Sequence, residues 1–162
     1  MIRLSQTASY KNKHIELFGD LTQNAEGLLE PVFLSGVETV TIDLKNLTAI
    51  NSVGIRFFMI WIADFSKVAL TFENCPPFFI DQVNMVSGFL PSHSKVKSFF
   101  VPYFAEETGF TKWVLYTEGQ EYRRTGAHVL MKHFTTLMDD QGYPMHPDVL
   151  ESKFFKFLDQ YA

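Results

Sequence analysis

The tetrad Asn51-Ser52-Val53-Gly54 sets a carboxamide and a hydroxyl directly before an apolar run. The first chemistry open to them is to accept hydrogen bonds from the unpaired N–H groups of a helix's first turn, worth ~1 kcal/mol for a good N-cap. A helix N-terminus there would also favour a phosphate or a partner's carboxylate. The spacing fits the cap better than the anion site. Cys75 precedes a second helix start, whose dipole would lower a thiol pKa, which makes it the one plausible nucleophile. No histidine lies near it in sequence, so it reads better as a small buried core residue. His128, His133, His146 and Asp148 carry atoms that suit zinc, but His128 and His133 are five apart and fall on different helix faces. Glu106-Glu107 and Asp139-Asp140 read as solvated turn charges rather than an acid/base pair. The chain has no Gly-rich phosphate loop, no His-Glu-x-x-His and no Gly-x-Ser-x-Gly. These residues therefore point to a non-enzymatic protein, with no catalytic residue, no metal ligand set and no cofactor.

Elements must hold that tetrad in place. Ile2 to Thr7 and His14 to Phe18 read as strands joined by a polar turn, and Asn24 to Leu34 as a helix ending near Gly36, shortened or kinked by Pro31. A strand at Thr39 to Leu44 then feeds a helix from Val53 to Ser66. A strand at Val68 to Phe72, a helix from Pro76 to Phe89 and a strand near Val96 to Val101 follow. The alternation predicts an α/β fold, a sheet covered by helices. On a helical wheel, Gly54, Phe58, Trp61, Ile62 and Phe65 form the sheet-facing side of the second helix, and Arg56, Ile60, Ala63 and Lys67 the opposite one. Phe57 and Met59 flank that outer side, so it carries an apolar patch that needs cover. The cover is a second protein, a second copy, or this chain's own C-terminal third.

Beyond residue 103, Thr111 to Thr117 alternates as a strand, and Glu118-Gly119 turns into Glu121 to Arg124, predicting a β-hairpin. Ala127 to Met138 fits either helix or strand. Pro147 to Tyr161 reads as a helix with Val149, Leu150, Phe154, Phe157, Leu158 and Tyr161 as one stripe, and the face around Ile60 is a candidate for its dock. The expected division is residues 1–103 and a packed extension, 104–162.

Composition narrows the functional classes. The chain has 162 residues, 46% hydrophobic and 20% charged, with a net charge of -4, and it shows no Lys/Arg stripe for nucleic acid. A single cysteine excludes an internal disulfide and favours a reducing compartment. No apolar leader opens the chain, and the run from Ile55 to Phe65 is broken by Arg56 and Asp64 and too short to span a bilayer. The expectation is a cytoplasmic protein without a membrane span.

Strand, Asn-Ser-Val-Gly turn and apolar helix, in that order, resemble the STAS domain of anti-sigma factor antagonists and sulphate transporter tails. His14 to Thr22 is similar to that family's second strand and the loop that follows, and Asn74-Cys75-Pro76-Pro77 to the turn before its third helix. The likeness covers roughly residues 1 to 103. It implies a STAS-like mixed sheet and a bacterial regulatory module that docks on an anti-sigma factor or related regulator, or on itself. The implied docking surface is Gly19, Asp20, Leu21, Thr22, Asn51, Ser52, Val53, Gly54, Arg56, Phe57, Met59 and Ile60. In the antagonists the serine immediately before the glycine is phosphorylated, and here that position is Val53. Ser52 aligns with the family's first serine and is the remaining phosphorylation candidate, while Asn51 replaces its aspartate. A small-molecule, lipid or anion-binding module using the helix N-terminus at Asn51 to Gly54 is the alternative. The tail is similar to the zinc-ribbon appendage of some STAS-like proteins at Tyr103 to Glu107 and Gly142 to Met145, without the paired cysteines a zinc site requires.

Overall fold

The computed structural model describes residues 2–27, 29–126, 128–132 and 137–162. Its first sheet runs β1-β2-β3-β4-β5, formed by β1 (Arg3–Ser9), β2 (Asn12–Leu21), β3 (Thr39–Ile50), β4 (Ala69–Glu73) and β5 (Ser94–Val96). The β1–β2 pair is antiparallel and the other three pairs are parallel. Two crossovers carry helices, α1 (Ser52–Ile62) and α2 (Pro77–Met85). This is the mixed, helix-covered α/β sheet that the alternating pattern implies.

Strand alternation builds the core. Ile15, Ile42 and Phe72 form one register row, all fully buried, and Val40, Leu44 and Leu70 are buried beside them. The helices bring rings down onto that row. Phe58 of α1 lies 5.3–6.3 Å, centroid to centroid, from Trp61, Phe72, Phe79 and Phe89. Contacts of this kind between well-packed rings add to plain area burial. Gly54, Phe58, Trp61, Ile62 and Phe65 are the buried side of this helix, as the wheel assigns.

The described residues of the segment Asn24 to Leu34 do not form the expected helix. A single 3₁₀ turn, Gln23–Ala25, is followed by Gly27 at φ 70°, and Leu29 to Leu34 form neither helix nor strand. Glycine supplies the left-handed conformation at low cost, and proline removes the N–H that a continuing helix would need. Apolar spacing there reflects docking of an irregular loop: the Trp61 indole N–H donates to the Glu30 carbonyl at 3.0 Å.

The single strand expected near Val96 to Val101 is two strands in two sheets. After Lys97 the chain enters β6 (Ser98–Phe104), which pairs antiparallel with β7 (Thr111–Thr117) and β10 (His146–Pro147). Thr111–Thr117 is thus a strand, but its hairpin partner precedes it. The later hairpin joins β8 (Tyr122–Thr125) to β9 (His128–Met131). Within the ambiguous stretch Ala127 to Met138, the described residues give that strand; His133 and Phe134 lie outside the described residues.

The tail is helical in short pieces, α3 (Glu151–Phe154), a 3₁₀ turn at Phe155–Phe157, and α4 (Leu158–Tyr161). Of its expected stripe, Phe154, Phe157, Leu158 and Tyr161 are buried, whereas Leu150 is exposed. The tail docks on α2 and the second sheet, not on the face around Ile60. Phe157 meets Phe99 edge-on at 4.9 Å, Asn84 Nδ2 donates to the Phe154 carbonyl at 2.8 Å, and the Tyr161 hydroxyl donates to the Leu90 carbonyl at 3.1 Å. Phe99, buried in β6, is the aromatic anchor that outcompetes the more distant helix.

Candidate partner-docking surface

Parallel pairing of β2 with β3 sets the two candidate segments side by side. Gly19 lies against Leu47, Asp20 against Ala49 and Leu21 against Ile50, with register shifts on both sides of Phe18 and Gly19. Gly19 has φ 88°, so its lack of a Cβ lets the strand bulge there. The Thr48 hydroxyl donates to Asp20 Oδ1, and the Asn51 N–H to the Leu21 carbonyl at 3.1 Å. Loop and turn are therefore one rigid corner.

Asn51 is the N-cap. Its Oδ1 accepts from the Val53 and Gly54 N–H groups at 3.1 and 2.9 Å, and its Nδ2 donates to Gln23 Oε1 at 2.9 Å. The side chain thus uses both ends, closing the helix and tethering the segment that follows β2. Gly54 is buried for a different reason. A Cβ there would sit 1.7 Å from the Leu21 carbonyl oxygen, so only glycine lets α1 approach the end of β2. Leu21 is itself buried. Both shape the surface from beneath.

The residues that reach solvent are Ser52, Val53, Arg56 and Ile60, with Gly19, Asp20, Thr22, Asn51, Phe57 and Met59 half-buried. Ile60 is 62% exposed and Val53 40%. Beside Ile60 a shallow cavity of about 280 Å³ lies between α1 and the loop pinned by Trp61, bordered by Leu29, Pro31, Phe57 and Asp64. The loop thus turns the outer face of α1 into a groove with an apolar floor. The wheel of α1 marks one side of this groove in the sequence, and the other side is made by the loop that stands where a helix was expected.

The residues weighed for chemistry are separated. Cys75 is fully buried, and burial, followed by the charges of Asp43 and Glu73, holds its thiol well above the ordinary range. Such a thiol is the opposite of an activated nucleophile. His146 pairs in β10 with Phe104, and His128 begins β9, on a different sheet. The turns at Ala105 to Phe110 and Leu137 to Met145 do abut: the Thr108 hydroxyl donates to Asp139 Oδ2, whose other oxygen accepts from the Gln141 and Tyr143 N–H groups at 2.9 and 2.8 Å. That hydrogen bonding holds the Asp139 carboxyl below the usual carboxylate range. The Asp139-Asp140 pair is thus split, with Asp139 a buried structural acceptor and Asp140 exposed. No helix of the described residues is long and apolar enough to cross a membrane.

No family model matches the chain, and no curated protein matches it. Among solved structures it is similar to the anti-sigma factor antagonist SpoIIAA in its unphosphorylated form, at 18% identity and a TM-score of 0.40, over 56% of this chain and 84% of that one. At that identity and score the likeness assigns no residue here a role.

Proposed function

We propose that this protein is a non-enzymatic interaction module that docks a protein partner through the corner of β2, the Asn51 to Gly54 turn and the outer face of α1. The observation that carries this reading is the uncovered apolar face. Ile60 stands 62% exposed at the centre of a surface flanked by Phe57 and Met59, and the C-terminal residues that were free to cover it pack elsewhere. An apolar anchor ringed by polar groups that fix register is how protein interfaces concentrate their binding energy. The polar ring here is Asp20, Thr22, Ser52 and Arg56. A cytoplasmic regulatory role and an anti-sigma factor or related regulator as partner follow from the resemblance to STAS domains; self-association through the same face is its other form. With Val53 before Gly54, such a module lacks the usual modified hydroxyl, and exposed Ser52 is the place left for a phosphate.

The alternative, an anion, lipid or small ligand seated on the helix N-terminus, meets an obstacle in the cap. Two first-turn N–H groups an anion would use already bind Asn51 Oδ1. An incoming phosphate must displace that carboxamide and its bond to Gln23. Protein docking leaves the cap intact.

Light-scattering mass of the full chain and of Ile60→Asp, over a range of concentrations, tests the reading. A dimer dissociated by Ile60→Asp identifies a second copy as the occupant. A monomer in both leaves the face for a different protein, which photo-crosslinking from position 60 then captures. A dimer that Ile60→Asp leaves unchanged, with no adduct from position 60, overturns the assignment of this face.

A further inference from the structure

The face of the first sheet opposite α1 and α2 is polar, and one register row across it is acidic. Glu16 on β2, Asp43 on β3 and Glu73 on β4 are direct neighbours in the parallel ladder. Like charges placed opposite each other on adjacent strands repel. Glu73 is relieved by Lys97, whose ammonium lies 2.7 Å from Glu73 Oε1. The other two have no such relief: among the described residues neither Glu16 nor Asp43 pairs with a lysine or arginine. What faces them instead is an imidazole. His14 lies two residues before Glu16 and so on the same face of β2, with its Nε2 3.8 Å from Glu16 Oε1. One ligand atom each from His14, Glu16 and Asp43 lies within 4.8 Å of the others.

We propose that His14 Nε2, Glu16 and Asp43 form a binding site for a divalent zinc-class ion. The donor set is one imidazole and two carboxylates, which suits a borderline cation and leaves a fourth position open to water or an exogenous group. A tetrahedral ion with bonds of ~2.0–2.2 Å holds its ligand atoms about 3.4 Å apart, so small side-chain rotations close the observed spacing. The backbone under those side chains is fixed by β-ladder pairing, two ligands coming from one strand and the third from its neighbour. Asp43 is also aimed. Its Oδ1 accepts from Asn74 Nδ2 and from the Lys45 N–H, each at 2.9 Å, which orients the carboxylate as outer hydrogen bonds orient metal ligands. That leaves Oδ2 for the ion. Two carboxylates beside an imidazole, with no lysine or arginine among the described residues pairing either acid, give a site where a dication relieves the like-charge repulsion of the row. His14 and the two acids are half-buried, so the site is open to solvent and to an exogenous fourth ligand. It lies on the sheet face opposite the proposed docking surface, and neither depends on the other.

Titration of the full chain with zinc chloride, followed by calorimetry and by the imidazole nitrogen resonances of the five histidines, tests the assignment. The expected result is one equivalent bound, with His14 the resonance that moves. Asp43→Asn and His14→Gln each weaken binding tenfold or more, and the melting curves of the zinc-free variants stay near that of the parent. Should His14→Gln fail to fold, Asp43→Asn alone carries the comparison. Absence of binding at millimolar zinc, zinc uptake that moves other histidines instead, or affinity unchanged in a folded variant overturns the site.

Discussion

At the scale of single residues, Asn51 and Gly54 divide the work of the turn between a hydrogen bond and an absence of atoms. Removing the cap in Asn51→Ala frees two first-turn N–H groups and the bond to Gln23, and is expected to cost about 1–2 kcal/mol in urea denaturation. Gly54→Ala is expected to cost more, about 3 kcal/mol, because its Cβ meets backbone, the Leu21 carbonyl, which cannot rotate away. An unchanged denaturation midpoint for Gly54→Ala would contradict that close approach. The cap is legible in the sequence because it is local: a carboxamide, then an apolar period. The glycine's reason is not, since Leu21 reaches it only through the pairing of β2 with β3. The same holds for Asp43, which stands beside Glu16 by register alone. Cys75 links this scale to pH. Its folded pKa is raised above the ordinary thiol value of 9.0, so the folded state keeps its proton where the unfolded chain loses it. The stability this confers is complete below the unfolded value and is lost as pH rises from there toward the folded value. Denaturation at about pH 8 and pH 10 should show a fall that Cys75→Ala reduces. Tyr116 and Tyr122, also raised by burial, add to the fall only at higher pH.

At the scale of elements, the periodic segments were readable and the irregular ones were not. The two helices over the sheet and the buried stripe of α1 follow from spacing, whereas the described residues of Asn24 to Leu34 have helical spacing without the expected helix, because Gly27 and Pro31 decide the backbone. Pairing partners were legible only in part. β7 was visible as a strand, yet its partner is β6 rather than the segment after Glu118-Gly119, since Tyr103 and Tyr116 meet across the β6–β7 pair with their hydroxyls 2.5 Å apart. The tail's apolar stripe demands a dock, but which surface wins depends on rings brought together from distant segments. Phe157→Ala removes the ring edge-on to Phe99 and is expected to cost about 3–5 kcal/mol, read as a lowered melting temperature. Arg124 ties the tail down from another direction, its guanidinium donating to the Leu158, Asp159 and Ala162 carbonyls at 2.7, 3.0 and 3.2 Å. Arg124→Ala should therefore destabilise by about 1–2 kcal/mol and raise exchange of the last-turn amides. A tail whose exchange is indifferent to Arg124 would contradict this dock.

At the scale of the whole molecule, the tail's position decides how the protein meets others. Because the last helices cover α2 and Phe99, the outer face of α1 stays open, and the loop pinned by Trp61 frames it as a groove. The helical wheel of α1 implies an apolar outer face but cannot say that it stays bare, since that depends on where the tail goes. Ile60→Asp should leave folding stability within about 0.5 kcal/mol of the parent, as expected for an exposed position, while abolishing whatever association uses the groove. The measurement that bears most directly on the central claim is photo-crosslinking of the full chain in cells that make it, with a photoreactive residue at position 60 and, separately, at position 95, the exposed residue of the otherwise buried β5. The account predicts a discrete protein adduct from position 60, lost when Phe57 is also changed to Asp, and none from position 95. No adduct from position 60, or the same adducts from both positions, would contradict it.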